Sequence, residues 1–148
     1  MKNQLMILLA EDDGNDVFLL RHTFKGAGLA HAIVDVPDGQ VAVDYLSAEP
    51  PYSDRLQYPL PNLVLLDLKM PRMSGFDVLS WLRSQPAFSK LPVVVWSNSV
   101  LEEDKQRVLN LGANAYFSKP SRSEEWSKFA YELDAKWIQN SERPWKEI

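Results

Sequence analysis

The stretch LLDLKMPRMSG, Leu65–Gly75, is apolar through Leu66 and then sets one carboxylate, Asp67, in front of Leu68-Lys69-Met70-Pro71. The apolar run begins at Leu63 and does not alternate, the pattern of a strand covered on both faces. Met70–Pro71 and Gly75 read as a stiff turn leading into a helix. Runs of the same kind recur at Leu5–Ala10, Ala32–Val36, Pro92–Trp96 and Ala113–Phe117. Between them lie segments of helical period, in which Val17, Leu20 and Phe24 share a face, as do Val41, Tyr45 and Leu46, and Phe76, Leu79 and Leu82. Trp126, Phe129, Ala130, Leu133 and Trp137 form the stripe of a last helix. Ser99 with Glu102, and Ser121 with Glu124, fit capping boxes, while Gly26, Gly28 and Gly112 mark helix ends. Strand and helix alternate five times, which predicts an α/β fold: a doubly wound, five-stranded parallel sheet with helices on both faces and right-handed crossovers.

Composition narrows what such a fold can do. The 148 residues suffice for a single core, and 45% hydrophobic with 24% charged residues is an ordinary globular balance. A net charge of −4 argues against binding nucleic acid or an anionic membrane through bulk charge. There are no cysteines, hence no disulfides, thiolate metal site or cysteine nucleophile. The apolar run near the N-terminus is too short for a signal peptide or a membrane span, so a cytoplasmic location is expected. Ala48–Pro61 contains four prolines and reads as one long surface loop.

In a parallel sheet of this kind, ligands bind beyond the carboxyl ends of the strands. Strand 1 ends in Glu11, Asp12 and Asp13, strand 3 in Asp67, strand 4 in Ser97, and strand 5 in Ser118 and Lys119. Asp13 fits best as the cap of the first helix. Carboxylates brought this close repel one another unless a cation neutralises them, and a set of few oxygen ligands with room for water favours Mg²⁺ over Ca²⁺. The histidines, His22 and His31, fall elsewhere and give no hint of zinc. A carboxylate beside Mg²⁺, a lysine and a hydroxyl suits a phosphoryl group, with Asp67 as a plausible nucleophile.

Together, ILLAEDD, PNLVLLDLKMPRMSG, PVVVWS and AYFSKP resemble the receiver domain of two-component response regulators (CheY-like) over roughly residues 5–138. The resemblance implies a flavodoxin-like sheet of order 2-1-3-4-5. It implies that Asp67 accepts phosphate from a histidine-kinase phosphohistidine or a phosphotransfer protein. Mg²⁺ would be bound by Asp12, Asp67 and the backbone carbonyl of Lys69, with Glu11 acting through water. Ser97 and Lys119 would contact the phosphoryl oxygens, Tyr116 would be the aromatic switch that follows Ser97, and Lys119–Pro120 would be cis. The Pro-rich loop and aromatic last helix are similar to single-domain regulators paired with phytochrome-type kinases. With a receiver domain over 1–140 and a tail over 141–148, the expectation is output through protein contacts or a role as a phosphorelay intermediate. Tyr131, Trp137, Ile138 and Trp145 are candidates for a partner or homodimer surface. Two features depart from the family pattern: Asn98, where a small residue is usual, and the long cation Lys69 beside the site.

Two other readings stay open. One is a phosphatase or phosphotransferase of the haloacid-dehalogenase type, which also uses an aspartyl-phosphate but needs a second Asp where this chain has Lys69. The other is a binding module that works without phosphorylation, against which the complete set Glu11, Asp12, Asp67, Ser97 and Lys119 argues.

Overall fold

The computed structural model describes residues 5–138. Its five strands are β1 (Met6–Ala10), β2 (Ala32–Val36), β3 (Leu63–Asp67), β4 (Val93–Ser97) and β5 (Ala115–Ser118). They form one parallel sheet of order β2-β1-β3-β4-β5, as expected. The helices are α1 (Gly14–Gly26), α2 (Gly39–Leu46), α3 (Gly75–Ser84), α4 (Glu102–Asn110) and α5 (Ser123–Glu132), and α5 continues as a π-helical turn over Leu133–Ile138.

The three central strands are buried from end to end, so their side chains serve two cores in alternation. Leu8, Val64, Leu66, Val93 and Val95 pack with Tyr45 of α2, Leu79 of α3 and Val108 of α4 on one face. Ile7, Leu9, Leu65, Val94 and Trp96 pack with Leu20 and Phe24 of α1 and Trp126 and Phe129 of α5 on the other. Continuous apolar runs are what this two-sided burial requires.

Several details correct the sequence reading. Helix α4 starts at Glu102 with Leu101 at its cap and no side-chain cap bond, so Ser99 is not part of a capping box. Ser99 Oγ instead donates to Asp104 Oδ2 at 2.7 Å and accepts from the Leu101 amide. Helix α5 is capped by the backbone of Arg122, and Ser121 Oγ lies against Glu125 rather than Glu124. Lys119–Pro120 is trans, the cheaper isomer even before proline, and the cis peptide among the described residues is Pro50–Pro51. The Pro-rich segment is more than a surface loop, because Tyr52, Tyr58 and Leu60 pack against the core. Of the residues considered for a partner surface, Trp137 packs against the α1–α5 core and Ile138 is buried within it. Tyr131 is exposed, and Trp145 and the 141–148 tail lie outside the described residues. Among the described residues, no helix is long and apolar enough to cross a membrane.

Candidate functional site

The register of the sheet assembles the site. Ala10 pairs with Leu66, so the residues that follow, Glu11 and Asp67, emerge side by side at the carboxyl edge. Asp67 is in register with Trp96, one residue before Ser97, and Ser97 pairs with Ser118, one residue before Lys119. The Lys119 amide donates to the Ser97 carbonyl at 2.9 Å, which ties the ends of β4 and β5 together. Glu11, Asp67 and Ser97 are buried, whereas Asp12 is exposed.

One carboxylate oxygen each from Glu11, Asp12 and Asp67 lie within 4.8 Å of one another. Such an all-oxygen donor set fits a hard divalent cation such as Mg²⁺. The ammonium of Lys119 sits against the same group, 2.8 Å from Glu11 Oε1, 2.9 Å from Asp16 Oδ2 and 3.6 Å from Asp67 Oδ2. Three carboxylates thus face one lysine, with Asp12 beside two of them, and this excess of negative charge is what a divalent cation would relieve. Burial pushes the Glu11 carboxyl up to about 7, against the opposing pull of Lys119, and the nearby charge of Asp67 adds to the rise. Burial raises Asp67 as well, with Lys119 again in opposition. Burial on its own would lower Lys119, but its bonds to Asp16 and Glu11 outweigh that and keep the ammonium charged.

Asp13 caps α1 by accepting from the amides of Asn15 and Asp16. Its own amide donates to Glu11 Oε2 at 3.1 Å, so the cap also orients the first acid of the cluster. Ser97 Oγ accepts from the Ser99 amide at 3.0 Å, and Tyr116 donates from its hydroxyl to the Ser99 carbonyl at 2.7 Å. The serine and the tyrosine proposed to move together are therefore joined through Ser99. Lys69 and Asn98 are both exposed beside the site. Asp16, in the first turn of α1, escaped the sequence reading because its partner Lys119 lies 103 residues away.

An acidic cluster at the carboxyl edge of a (βα)₅ sheet, with a lysine from β5 and a hydroxyl from β4, is the arrangement of a signalling receiver domain. Residues 7–130 match the response regulator receiver domain, and the chain belongs to that family. Response regulator Rcp1 of Synechocystis sp. is 30% identical over 139 residues, spanning 94% of this chain and 92% of its own. Among solved structures, the phosphorylated cyanobacterial phytochrome response regulator RcpA superposes with a TM-score of 0.83 at 30% identity, covering 91% of this chain and 94% of its own. The Mn²⁺-bound form of Rcp1 gives 0.83 at 29% identity over 95% and 99% of the two chains.

Proposed function

We propose that this receiver is a switch in a two-component phosphorelay, with Asp67 as the phosphoacceptor. The carrying observation is that Asp67, 5% exposed, stands at the carboxyl end of β3 with Lys119 Nζ 3.6 Å from its Oδ2 and Glu11 and Asp12 beside it. An Asp67 oxygen attacks the phosphorus of a donor phosphohistidine, the P–N bond breaks, and the imidazole nitrogen leaves with the electron pair. Glu11, Asp12, Asp67 and the Lys69 carbonyl would hold Mg²⁺, which when bound neutralises charge on the phosphoryl oxygens. Lys119 pairs with the oxygens of the transferred group, and the Ser97 hydroxyl donates to one of them. As Ser97 turns toward the phosphoryl group its bond to the Ser99 amide is released, and the Ser99–Tyr116 link carries that change to the α4–β5 surface.

The partner under this reading is a histidine kinase or phosphotransfer protein in the cytoplasm. The likeness to Rcp1 and RcpA supports a phytochrome-type kinase. The receiver occupies residues 1–140, and its output is altered contact with another protein or a second copy of itself. Lys69 in place of a second acid weighs against the haloacid-dehalogenase chemistry. Incubation with acetyl phosphate and Mg²⁺, followed by intact-mass measurement, is expected to show one added phosphoryl group. It should be absent from Asp67→Ala and absent with chelator. Phosphorylation that persists in either control overturns the assignment.

A further inference from the structure

The turn after Asp67 is held in an unfavourable shape by a residue outside the acidic cluster. Arg72 has φ +65, in the left-handed region that L side chains rarely adopt. The Met73 amide donates to the Pro71 carbonyl at 2.7 Å across it. A bond from residue i+2 to residue i over a centre of positive φ is the pattern of the classic γ-turn, a rare and strained conformation. Such strain persists only where the surroundings over-determine it.

Two features supply that determination. Arg72 donates from Nε to Asp38 Oδ2 at 3.0 Å and from Nη2 to Asp38 Oδ1 at 3.2 Å, a two-pronged pair in fixed geometry. Asp38 is anchored in turn, because it caps α2 by accepting from the Val41 amide at 2.9 Å. The next residue, Gly39, presses its backbone against the same turn, where an added Cβ would collide with the Met73 carbonyl. At the far end of the turn, a Cβ on Gly75 would collide with the carbonyl of Asp67 itself. The Gly75 amide donates to the Leu68 carbonyl at 2.9 Å. The segment from Leu68 to Ser74 is therefore fixed between α2 and the end of β3.

We propose that the Arg72–Asp38 pair is a positioning clamp, locking the β3–α3 turn, and with it the Lys69 carbonyl and Asp67, in the geometry that receives the divalent cation. Neither residue touches the reacting atoms. The clamp acts on metal affinity, by sparing the protein the cost of ordering the turn when the cation binds. This inference rests on the phosphoacceptor reading above, and the test separates the two.

Mg²⁺ is titrated calorimetrically into the wild type, Asp38→Asn, Arg72→Gly and the double variant. Asparagine retains the Oδ1 that caps α2 but loses the charge and the Oδ2 prong from Arg72 Nε, and glycine relieves the positive φ while losing the whole pair, so both folds are preserved. Each single variant is expected to bind Mg²⁺ roughly tenfold more weakly, the range for a supporting residue of a metal site. The double variant should be no weaker than either, because both singles break one interaction. Arg72→Lys, which keeps the charge without the fork, should fall between. Single variants within twofold of wild type, or effects that add in full, overturn the clamp while leaving the phosphoacceptor reading standing. A wild type that binds no Mg²⁺ overturns both.

Discussion

Lys119 is where the site's charges are distributed. Its ammonium lies closer to Glu11 and Asp16, at 2.8 and 2.9 Å, than to Asp67 at 3.6 Å. Under the proposed function, Asp16 competes with Asp67 for the lysine, and a phosphoryl group on Asp67 would have to draw the ammonium away from it. Asp16→Asn replaces the charged partner with a neutral amide and removes about 1–2 kcal/mol of that competition. Phosphorylation by acetyl phosphate at saturating Mg²⁺ should then run roughly tenfold faster, the rate equivalent of that energy. An unchanged or slower initial rate would mean that Asp16 orients Lys119 rather than restraining it. Both this pair and the Arg72–Asp38 pair lay beyond sequence reasoning, because they join positions 103 and 34 residues apart. No local period or spacing marks such partners, whereas Asp67, Glu11 and Lys119 were legible because each terminates an apolar run.

Helix α2 is an element whose end is completed from outside. Arg55, in the Pro-rich segment, donates to the carbonyls of Tyr45 and Leu46 at 2.9 and 2.7 Å, and to that of Tyr58 at 3.2 Å. The first two are last-turn carbonyls, which a helix leaves without intrahelical partners, and that of Tyr45 also accepts from the Ala48 amide at 3.2 Å. Tyr45 is fully buried, donates to the Pro59 carbonyl at 2.7 Å, and packs with the rings of Tyr52 and Tyr58. Prolines correctly excluded a helix or central strand here. They could not disclose that the segment folds back as a lid over α2, since that depends on a guanidinium reaching several carbonyls at once. Arg55→Ala should lower unfolding free energy by about 2 kcal/mol, as charged donors to buried carbonyls contribute. Lysine should restore little of it, lacking the fork. Urea denaturation of the three proteins gives the comparison. The missed capping boxes show the reverse limit: Ser99 satisfied the local pattern, but its carbonyl is committed to Tyr116 and its hydroxyl to Asp104.

For the whole molecule, the acidic cluster links stability to pH and to metal. The folded-state pKa of Glu11 lies near 7, above its ordinary value of 4.5, so the folded protein holds this proton more tightly than the unfolded chain. Its contribution to stability is complete below about 4.5 and is lost as pH rises through about 7. The metal-free protein should therefore melt at a lower temperature at pH 8 than at pH 6, and Glu11→Gln should flatten that slope. A divalent cation held by the cluster would replace the proton, so the rise in melting temperature on adding Mg²⁺ should be larger at pH 8. At a hundredfold excess over its dissociation constant the gain is about 2.7 kcal/mol. A pH-independent rise, or none, would remove the cluster from the metal's binding site. The two-sided core was the most legible feature at this scale, because burial on both faces writes itself as uninterrupted apolar runs, whereas the sheet order followed only from the resemblance to receiver domains.

Trp96 gives the molecule a further property. Its ring sits on β4 with Lys119 Nζ 5.2 Å from its centroid, and it stacks on Phe129 at 5.6 Å with Trp126 edge-on at 5.7 Å. The cation that would shift on phosphorylation of Asp67 thus lies over an indole sealed in the apolar interior. Under the proposed function, the light emission of that indole is expected to gauge where the lysine's charge rests. With the remaining tryptophans replaced by phenylalanine, the state of the switch could be followed in real time without any label.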